Sequence, residues 1–352
     1  MKQSVAPRLA VRKMRAFHGI QENRGEMLRL DFNENTVGCT PAVRTALARV
    51  TPEHWAIYPE YEKARARLAK SFGVRPAELV LTNGADDALR LLFDTFVDHG
   101  ARVLIVEPTF NMFRFWADLA GARTVALRYD AGMRFPLEAV LRALRARPRV
   151  FFLANPNNPT GTVVGRPALR KILDAAPRTF IVLDEAYAEF CDVTVLPWIR
   201  RYPNLAVVRT FSKAAGLAGL RLGCVFVNAE SAQAMRTAQS PFAVNTAALI
   251  AAQAAAADRR FLRGYVAEVK KSAREFVAAL RRIGVQSYPT GANFLLADFG
   301  PRGPQIVAAL ARRGILLRDR THDFGRPGFV RITIGTRPQM RRLVRELKRE
   351  VY

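Results

Sequence analysis

Short, largely apolar runs that alternate with helical patterns constrain the fold of this chain more than any other feature. The runs lie at residues 79–81, 102–106, 150–153, 180–183 and 205–208. Such runs are typical of strands that are buried on both faces of a parallel sheet. Between two of them, residues 137–147 place apolar side chains at helix spacing. This alternation predicts an α/β fold with a mostly parallel sheet and helices on both of its faces.

The pattern changes after about Pro241. An alanine-rich helical stretch covers residues 245 to about 283 and ends at Gly284, a residue that favours a helix C-terminus. Shorter segments follow, namely strands at 293–298, 315–317 and 329–334, a helix at about 304–313 and a last helix that Pro338 opens. The sequence therefore predicts a smaller α+β domain that a long helix attaches to the sheet.

These changes divide the 352 residues into parts that should pack closely, because no linker, repeat or low-complexity tract interrupts the chain. Residues 1–44 are predicted to form an N-terminal arm and part of the small domain. Residues 45–240 are predicted to form the large domain. Residues 241–352 are predicted to form the long connecting helix and the small C-terminal domain.

The formal net charge is +25, and 46 of the 55 basic residues are arginines. They are dispersed between apolar positions and form helix faces, as at Arg341, Arg342 and Arg345, rather than a basic tail. No helix-turn-helix, zinc finger or aromatic basic sheet is visible, so no specific nucleic-acid partner is expected. A nucleic-acid-binding protein that uses this fold is the alternative from outside the enzymes.

The same sequence favours a cytoplasmic protein without a membrane anchor or a metal site. The apolar stretch at 247–257 is too short to span a bilayer, and basic residues interrupt the N-terminal region where a signal peptide needs an apolar core. The three cysteines are isolated and the four histidines are scattered. Neither a disulfide framework nor a metal ligand set is therefore predicted.

Two turns after buried strands are candidate ligand-binding loops. Gly84 lies between a strand and a helix, where free amides and the helix dipole favour an anion. Asn158 belongs to the rigid N-P-N-N-P-T-G loop at 155–161, which follows another strand. In parallel sheets, ligands bind at the carboxyl ends of the strands. A plain connection is the alternative for both turns.

Asp184 and Tyr187 end a strand in the segment F-I-V-L-D-E-A-Y. A carboxylate that ends a buried strand needs a partner, since burying an unpaired charge is costly. A structural ion pair provides one solution. The positively charged nitrogen of a heterocycle, with Tyr187 donating to a ring oxygen, provides the other, and the motif by itself leaves both open.

Lys213 carries the strongest signal, within R-T-F-S-K-A-A-G-L-A-G-L-R-L-G. Its small, apolar neighbours predict an amine that is removed from water and therefore stays nucleophilic. Ser212 and Arg221 add a hydroxyl donor and a fixed cation, which both suit a phosphate group. The glycines of the segment allow a ligand to approach closely.

Taken in order, the glycine turn, N-P-T-G, D-E-A-Y and S-K-x-x-x-L-A-G-L-R-x-G resemble the fold-type I pyridoxal-phosphate enzymes of the aspartate aminotransferase superfamily. Within these, the chain is most similar to the histidinol-phosphate aminotransferases, from D-F-N-E-N-T at 31–36 to R-I-T-I-G-T at 331–336. The resemblance implies a mostly parallel seven-stranded sheet, pyridoxal 5'-phosphate as cofactor and a homodimer with shared active sites. The implied reaction, in histidine biosynthesis, converts L-histidinol phosphate and 2-oxoglutarate to imidazole-acetol phosphate and L-glutamate.

The resemblance also implies a role for each matching residue. Lys213 corresponds to the amine that attaches to the cofactor and then moves the substrate proton, and Asp184 to the acid that keeps the pyridine nitrogen protonated. Tyr187 and Asn158 correspond to residues that contact the ring oxygen. The positions that match the phosphate cradle are Gly84, Ala85, Asp86, Ser212 and Arg221.

Further matches concern the ring face, the partner subunit and the substrate. Phe110 matches the aromatic residue that stacks on the cofactor, and Tyr58 a tyrosine that reaches the phosphate in the neighbouring subunit. Arg331 and Arg318 match arginines that receive the anionic end of the substrate. Phe17 lies near the position of a tyrosine that covers the substrate.

Two of these positions depart from the family pattern. Phe110 and Phe17 both lack a hydroxyl group that the family often has, and this would suit a more apolar amino donor. An aminotransferase for an aromatic amino acid such as phenylalanine is therefore one alternative. A threonine-phosphate decarboxylase, which shares the scaffold, is another.

Overall fold

A computed structural model describes residues 5–14 and 23–351 of the chain. The strands are β1 Leu28–Arg29, β2 Leu79–Thr82, β3 Arg102–Glu107, β4 Arg123–Arg128, β5 Val150–Ala154, β6 Phe180–Asp184, β7 Leu205–Thr210, β8 Gly223–Phe226, β9 Gln286–Ser287, β10 Phe294–Asp298, β11 Ile315–Leu316, β12 Arg318–Asp319 and β13 Phe329–Thr333. The α-helices are α1 Leu9–Lys13, α2 Pro41–Leu47, α3 Pro52–Ala56, α4 Tyr61–Phe72, α5 Gly84–Phe96, α6 Met112–Ala120, α7 Leu137–Leu144, α8 Arg166–Ala175, α9 Ala229–Ala238, α10 Thr246–Ala257, α11 Arg259–Arg282, α12 Gly303–Arg312, α13 Thr321–Phe324 and α14 Arg337–Val351.

The large sheet has seven strands in the order β2-β8-β7-β6-β5-β3-β4. Only β8 runs antiparallel to its neighbours, so the predicted α/β fold with a mostly parallel seven-stranded sheet is confirmed. All five predicted runs form strands of this sheet. The sequence did not indicate β4, because this edge strand pairs with β3 alone and exposes much of its length.

Both faces of the large sheet are covered, which explains the unbroken apolar runs. Neighbouring residues on one strand point to opposite faces. Thus Phe151 belongs to the core under one layer of helices, and Phe152 belongs to the core under the other layer. Both side chains are completely buried or nearly so.

A second, smaller sheet has the order β12-β13-β10-β9 and is antiparallel throughout. It packs with α11, α12 and α14 around a separate apolar core that includes Phe276, Leu310 and Leu343. The early strand β1 pairs in parallel with β11, which ties the N-terminal segment to this region. The domain boundaries at 44 and 240 stay predictions.

The prediction of one continuous helix after Pro241 was wrong. The stretch forms two helices, α10 and α11, that meet at Asp258. The Asp258 carboxylate accepts a hydrogen bond from the Phe261 amide (3.1 Å) and another from the Thr40 hydroxyl. Asp258 therefore caps the start of α11 and is itself outside both helices. Gly284, at φ 74°, follows the end of α11 as predicted. No helix in the described part of the chain is long and apolar enough to cross a membrane.

The loop that carries Lys213 packs against the N-terminal segment through Gly216. This glycine has φ +71°, and a Cβ atom there would lie 2.6 Å from the Gly38 carbonyl oxygen. A larger residue would thus meet both backbone strain and a collision with rigid backbone. The contact fixes where the N-terminal segment crosses the Lys213 loop.

We expect Gly216→Ala to lower the free energy of unfolding by about 1–3 kcal/mol, because it forces a left-handed backbone and a backbone collision. Gly264→Ala is the matched control, since Gly264 is exposed within α11 and has open space around it. That control should stabilise the protein by up to about 1 kcal/mol. Urea denaturation of both variants checks this, and equal effects in the two would contradict it.

Candidate active site

A cavity of about 550 Å³ opens at the carboxyl edge of the large sheet, with residues of the small sheet on its other side. Polar residues that follow β5, β6 and β7 meet there because parallel strands end at the same edge. The structure brings most of the predicted site residues into this one cavity. They are Ala85, Asp86, Phe110, Asn158, Asp184, Tyr187, Ser212, Lys213, Arg221, Arg318 and Arg331.

Lys213 extends into the cavity from the loop after β7. Its Nζ atom donates a hydrogen bond to the Phe32 carbonyl oxygen (2.9 Å) and lies 5.9 Å from the centre of the Tyr187 ring. Removal of the amine from water, followed by repulsion from Arg331, lowers the pKa of Lys213 to about 8. The fraction of neutral amine near neutral pH is therefore much larger than for an ordinary lysine.

Asp184 ends β6 and is buried. Its Oδ1 atom accepts a hydrogen bond from the Ala186 amide (3.0 Å), and burial raises the pKa of its carboxyl group to about 7. The next residue, Glu185, forms an ion pair with Arg209 (2.7 Å). The structural ion pair at this strand end thus belongs to Glu185, whereas Asp184 has no ion pair among the described residues.

The Tyr187 hydroxyl is held by Asn33, which the sequence did not single out. Asn33 Nδ2 donates to the Tyr187 hydroxyl oxygen (2.9 Å). Asn33 is itself fixed, because its amide donates to Thr333 Oγ1 (2.9 Å) and its carbonyl accepts from Asn293 Nδ2 (3.0 Å). Burial raises the pKa of Tyr187, so the phenol keeps its proton. With Asn33 as the donor to its oxygen, the hydroxyl can direct that proton to another group.

One end of the cavity combines a helix N-terminus with a guanidinium group. Arg221 Nη2 lies 3.3 Å from Asp86 Oδ2 in the first turn of α5. Gly84 has φ +84°, a backbone conformation that favours glycine, and a Cβ atom there would lie 2.4 Å from Arg221 Nη2. The Ser212 hydroxyl is buried nearby and accepts a hydrogen bond from Thr210 Oγ1 (3.0 Å). Amides, a hydroxyl and a cation together suit an anion.

The opposite end is lined by arginines of the small sheet. Arg331 is buried, donates from Nη1 to Asn158 Oδ1 (2.7 Å) and also bonds the Asp31 carbonyl. Burial and the neighbouring Arg320 lower the pKa of Arg331. Arg318 lies over the Phe32 ring, with Cζ 5.4 Å from its centre. This end is a second place for a negatively charged group.

Two predicted residues of the described part of the chain do not line the cavity. Gly84 is behind the Arg221 guanidinium rather than on the cavity surface. Tyr58 is 73% exposed and stacks on Phe242 with ring centres 4.0 Å apart. Phe17 lies outside the described residues. The described residues contain no group of three or more His, Cys, Asp or Glu side chains that could hold a metal ion.

Other cavity residues were missed by the sequence reasoning. They are Arg24, Phe32, Asn33, Glu34, Asn111, Met112, Ala154, Ala186, Thr210, Ala218, Gly219 and Arg320. A signal existed for some of them, because D-F-N-E-N-T follows the short strand β1 and places five polar side chains after a strand end. Arg320 stands two residues after Arg318, which is the spacing of one strand face.

The lowered pKa of Lys213 makes a prediction about stability. The unfolded lysine keeps its proton up to about pH 10.4, whereas the folded one loses it near pH 8. Between these values the unfolded state binds more protons, so raising the pH stabilises the folded state. The ligand-free protein should therefore gain up to about 3 kcal/mol relative to Lys213→Met between pH 8 and pH 10.5. A difference in unfolding free energy that stays constant with pH would contradict the shift.

Comparisons with known proteins agree with this geometry. The family model for class I and II aminotransferases matches residues 25–347. A histidinol-phosphate aminotransferase from Symbiobacterium thermophilum is 37% identical over 355 residues, covering 97% of this chain and 97% of that protein. The Sinorhizobium meliloti histidinol-phosphate aminotransferase, solved in complex with pyridoxal-5'-phosphate, has a TM-score of 0.89 at 25% identity, covering 100% of this chain and 99% of that one.

The fold alone does not select a reaction. L-threonine-O-3-phosphate decarboxylase from Porphyromonas gingivalis shares it, with a TM-score of 0.82 at 24% identity over 92% of this chain and 99% of that one. The family model and the Symbiobacterium relative carry the assignment, and they confirm the family predicted from the motifs. This chain belongs to the class I and II aminotransferases.

Proposed function

We propose that this chain transfers an amino group between L-histidinol phosphate and 2-oxoglutarate with pyridoxal 5'-phosphate as its cofactor. One observation carries the proposal: a single cavity holds the Lys213 amine and the unpaired Asp184 carboxylate between two separate anion sites. One anion site suits the phosphate of the cofactor, and the other suits a phosphorylated substrate. The name of the Symbiobacterium relative supports the same substrate.

The donor set fits the cofactor. The buried Asp184 carboxylate forms no salt bridge among the described residues, so a protonated ring nitrogen would give it a directly bonded cation. Arg221, Ser212 and the first turn of α5 would hold the phosphate, and Phe110 would cover one face of the ring. When bound, the cofactor supplies a protonated ring that delocalises the electron pair left on the substrate α-carbon.

Lys213 provides the attachment point and the base. Its amine is neutral in about a tenth of the molecules at pH 7, far more than for an ordinary lysine, because its pKa is about 8. The hydrogen bond to the Phe32 carbonyl holds Nζ on the cavity side of the loop. A positioned neutral amine can take a proton from the substrate carbon and return it to a neighbouring atom.

Tyr187 and Asn158 each have a donor group left for the cavity. The Tyr187 oxygen accepts from Asn33, and the Asn158 carbonyl accepts from Arg331. The phenol proton and the Asn158 amide group are therefore free to donate to a ligand oxygen. We assign them to the ring oxygen, where they would bind and orient the cofactor.

We further propose a homodimer in which Tyr58 completes the site of the partner subunit. Large apolar side chains are exposed around Tyr58, which is unfavourable in an isolated chain. These are Trp55, Ile57, Tyr58 and Phe242. A symmetric contact between two copies would bury them. A cytoplasmic location stays a prediction.

Half-reactions of the cofactor-loaded protein test the substrate. We expect L-histidinol phosphate alone to change the cofactor absorbance at least about tenfold more efficiently than phenylalanine, since phenylalanine lacks the phosphate that the arginines would bind. Lys213→Ala should reduce this conversion by at least about 10³-fold while the cofactor stays bound. A preference for phenylalanine, or release of carbon dioxide from phosphothreonine, would overturn the proposed substrate.

Mixed dimers test the shared site. Tyr58→Phe should weaken cofactor binding by about tenfold, through loss of one hydrogen bond to the phosphate. In a dimer of Lys213→Ala and Tyr58→Phe subunits, one site regains both native residues. At limiting cofactor, such dimers should reach about half of the wild-type activity. Activity equal to the mean of the two parents, each carried through the same subunit exchange, would exclude a contribution across the interface.

A further inference from the structure

Arg320 lines the cavity but has no role in the function proposed above. Its placement follows from the register of the small sheet. Arg318 on β12 lies directly opposite Arg331 on β13, and the Arg320 amide continues the pairing by donating to the Phe329 carbonyl (2.8 Å). Residues two apart on a strand share a face, as do residues directly opposite each other. Three arginines therefore stand on the cavity side of one sheet.

Each of the three guanidinium groups is held by a different neighbour. Arg320 forms an ion pair with Asp323 in the following helical turn, and its side chain is 13% exposed. Arg318 stacks on Phe32, and Arg331 bonds Asn158. Because the supports are separate, the three groups are fixed before any ligand binds.

Three guanidinium groups placed this close together repel one another, which is unfavourable unless an anion binds between them. Like charges directly opposite each other destabilise a sheet, and Arg320 and Arg331 are also largely removed from water. Their Nε atoms are buried and have no hydrogen-bond partner in the part of the chain that the structure describes. Asp323 balances one of the three charges. An incoming group with two negative charges would balance the other two.

The nearby Arg24 does not belong to this set. It bonds Asp31 (2.7 Å) and Glu34 (2.9 Å), so its donors are directed to two carboxylates of the chain. The cations that remain for a ligand at this end are those of the three-arginine face.

We propose that Arg320 is a specificity-determining residue, the third guanidinium of the substrate subsite, and that it selects a phosphate dianion over an uncharged or singly charged group. This inference rests on the proposed function, because it assigns the phosphate end of the amino donor to the three-arginine face. Arg320 adds donors to those of Arg318 and Arg331, and Asp323 holds it in place.

The test compares two donors that differ only in the phosphate, L-histidinol phosphate and L-histidinol, on the cofactor-loaded enzyme. Arg320→Gln should lower the ratio of their kcat/KM values by at least about tenfold, as expected for the loss of a charge-assisted hydrogen bond. The loss should arise from KM for the phosphorylated donor, with kcat little changed. Arg320→Lys should restore part of the ratio. A purely structural residue would depress both donors equally and leave the ratio unchanged, which would overturn the inference.

Arg326→Gln is the matched control. Arg326 lies in the same connection and pairs with Asp298, but it does not line the cavity. Removing its charge changes the net charge equally and should leave the donor ratio unaltered. An equal fall of the ratio in both variants would indicate a general charge effect and would also overturn the inference.

Calorimetric titration with inorganic phosphate separates this inference from the proposed function. In the cofactor-loaded enzyme the Arg221 site is filled, so added phosphate reports on the three-arginine face. We expect Arg320→Gln to weaken phosphate binding by at least about tenfold whichever donor the enzyme prefers. If wild-type enzyme rejects L-histidinol phosphate yet this weakening is seen, the substrate is wrong and the subsite stands. Unchanged phosphate binding would refute the role of Arg320.

Discussion

Hydrogen bonds to the short segment from Asp31 to Asn35 hold the two sides of the cavity together. Lys213 Nζ donates to the Phe32 carbonyl, and Asn35 Nδ2 donates to the Ala214 carbonyl (3.0 Å) on the side of the large sheet. From the side of the small sheet, Arg331 donates to the Asp31 carbonyl. The position of the amine relative to Arg331 therefore depends on one stretch of backbone. Because both sides bond to this segment, residues from the large sheet and from the small sheet are held in one site.

Burial of two ionisable groups in the site lowers the stability of the ligand-free protein, and a bound ligand can restore it. Burial shifts both central groups towards their neutral forms, raising the pKa of Asp184 to about 7 and lowering that of Lys213 to about 8. A ligand with a protonated ring nitrogen favours the charged carboxylate again. Because such a ligand binds only the folded chain, its binding energy adds to the free energy of unfolding. These pKa shifts thus link folding to the binding of such a ligand.

The sequence predicted those parts of the molecule whose signals are local. Lys213, Asp184 and Asn158 each stand in a motif next to a strand end, and the apolar runs placed five strands of the large sheet. Asn33 depends instead on Thr333, 300 positions away, and no local pattern reveals that contact. The break at Asp258 likewise depends on a cap within an otherwise helical composition. Pairings over such distances are set by the tertiary register, which a single sequence does not display.

Charge composition alone does not show which arginines of this arginine-rich chain are available to bind a ligand. These arginines differ in the groups that each guanidinium contacts. Arg313 reaches Glu346 and Glu350 on a half-exposed helix surface, where an ion pair contributes little. Arg318 has no carboxylate partner in the described part of the chain, and Arg331 contacts only uncharged oxygens. Basic residues outnumber acidic ones by 55 to 30, so the lack of a carboxylate partner is not unusual by itself. Arg318 and Arg331 differ in that they line a cavity, where their charge stays available for a ligand. The groups around each guanidinium therefore decide whether its charge is available to a ligand.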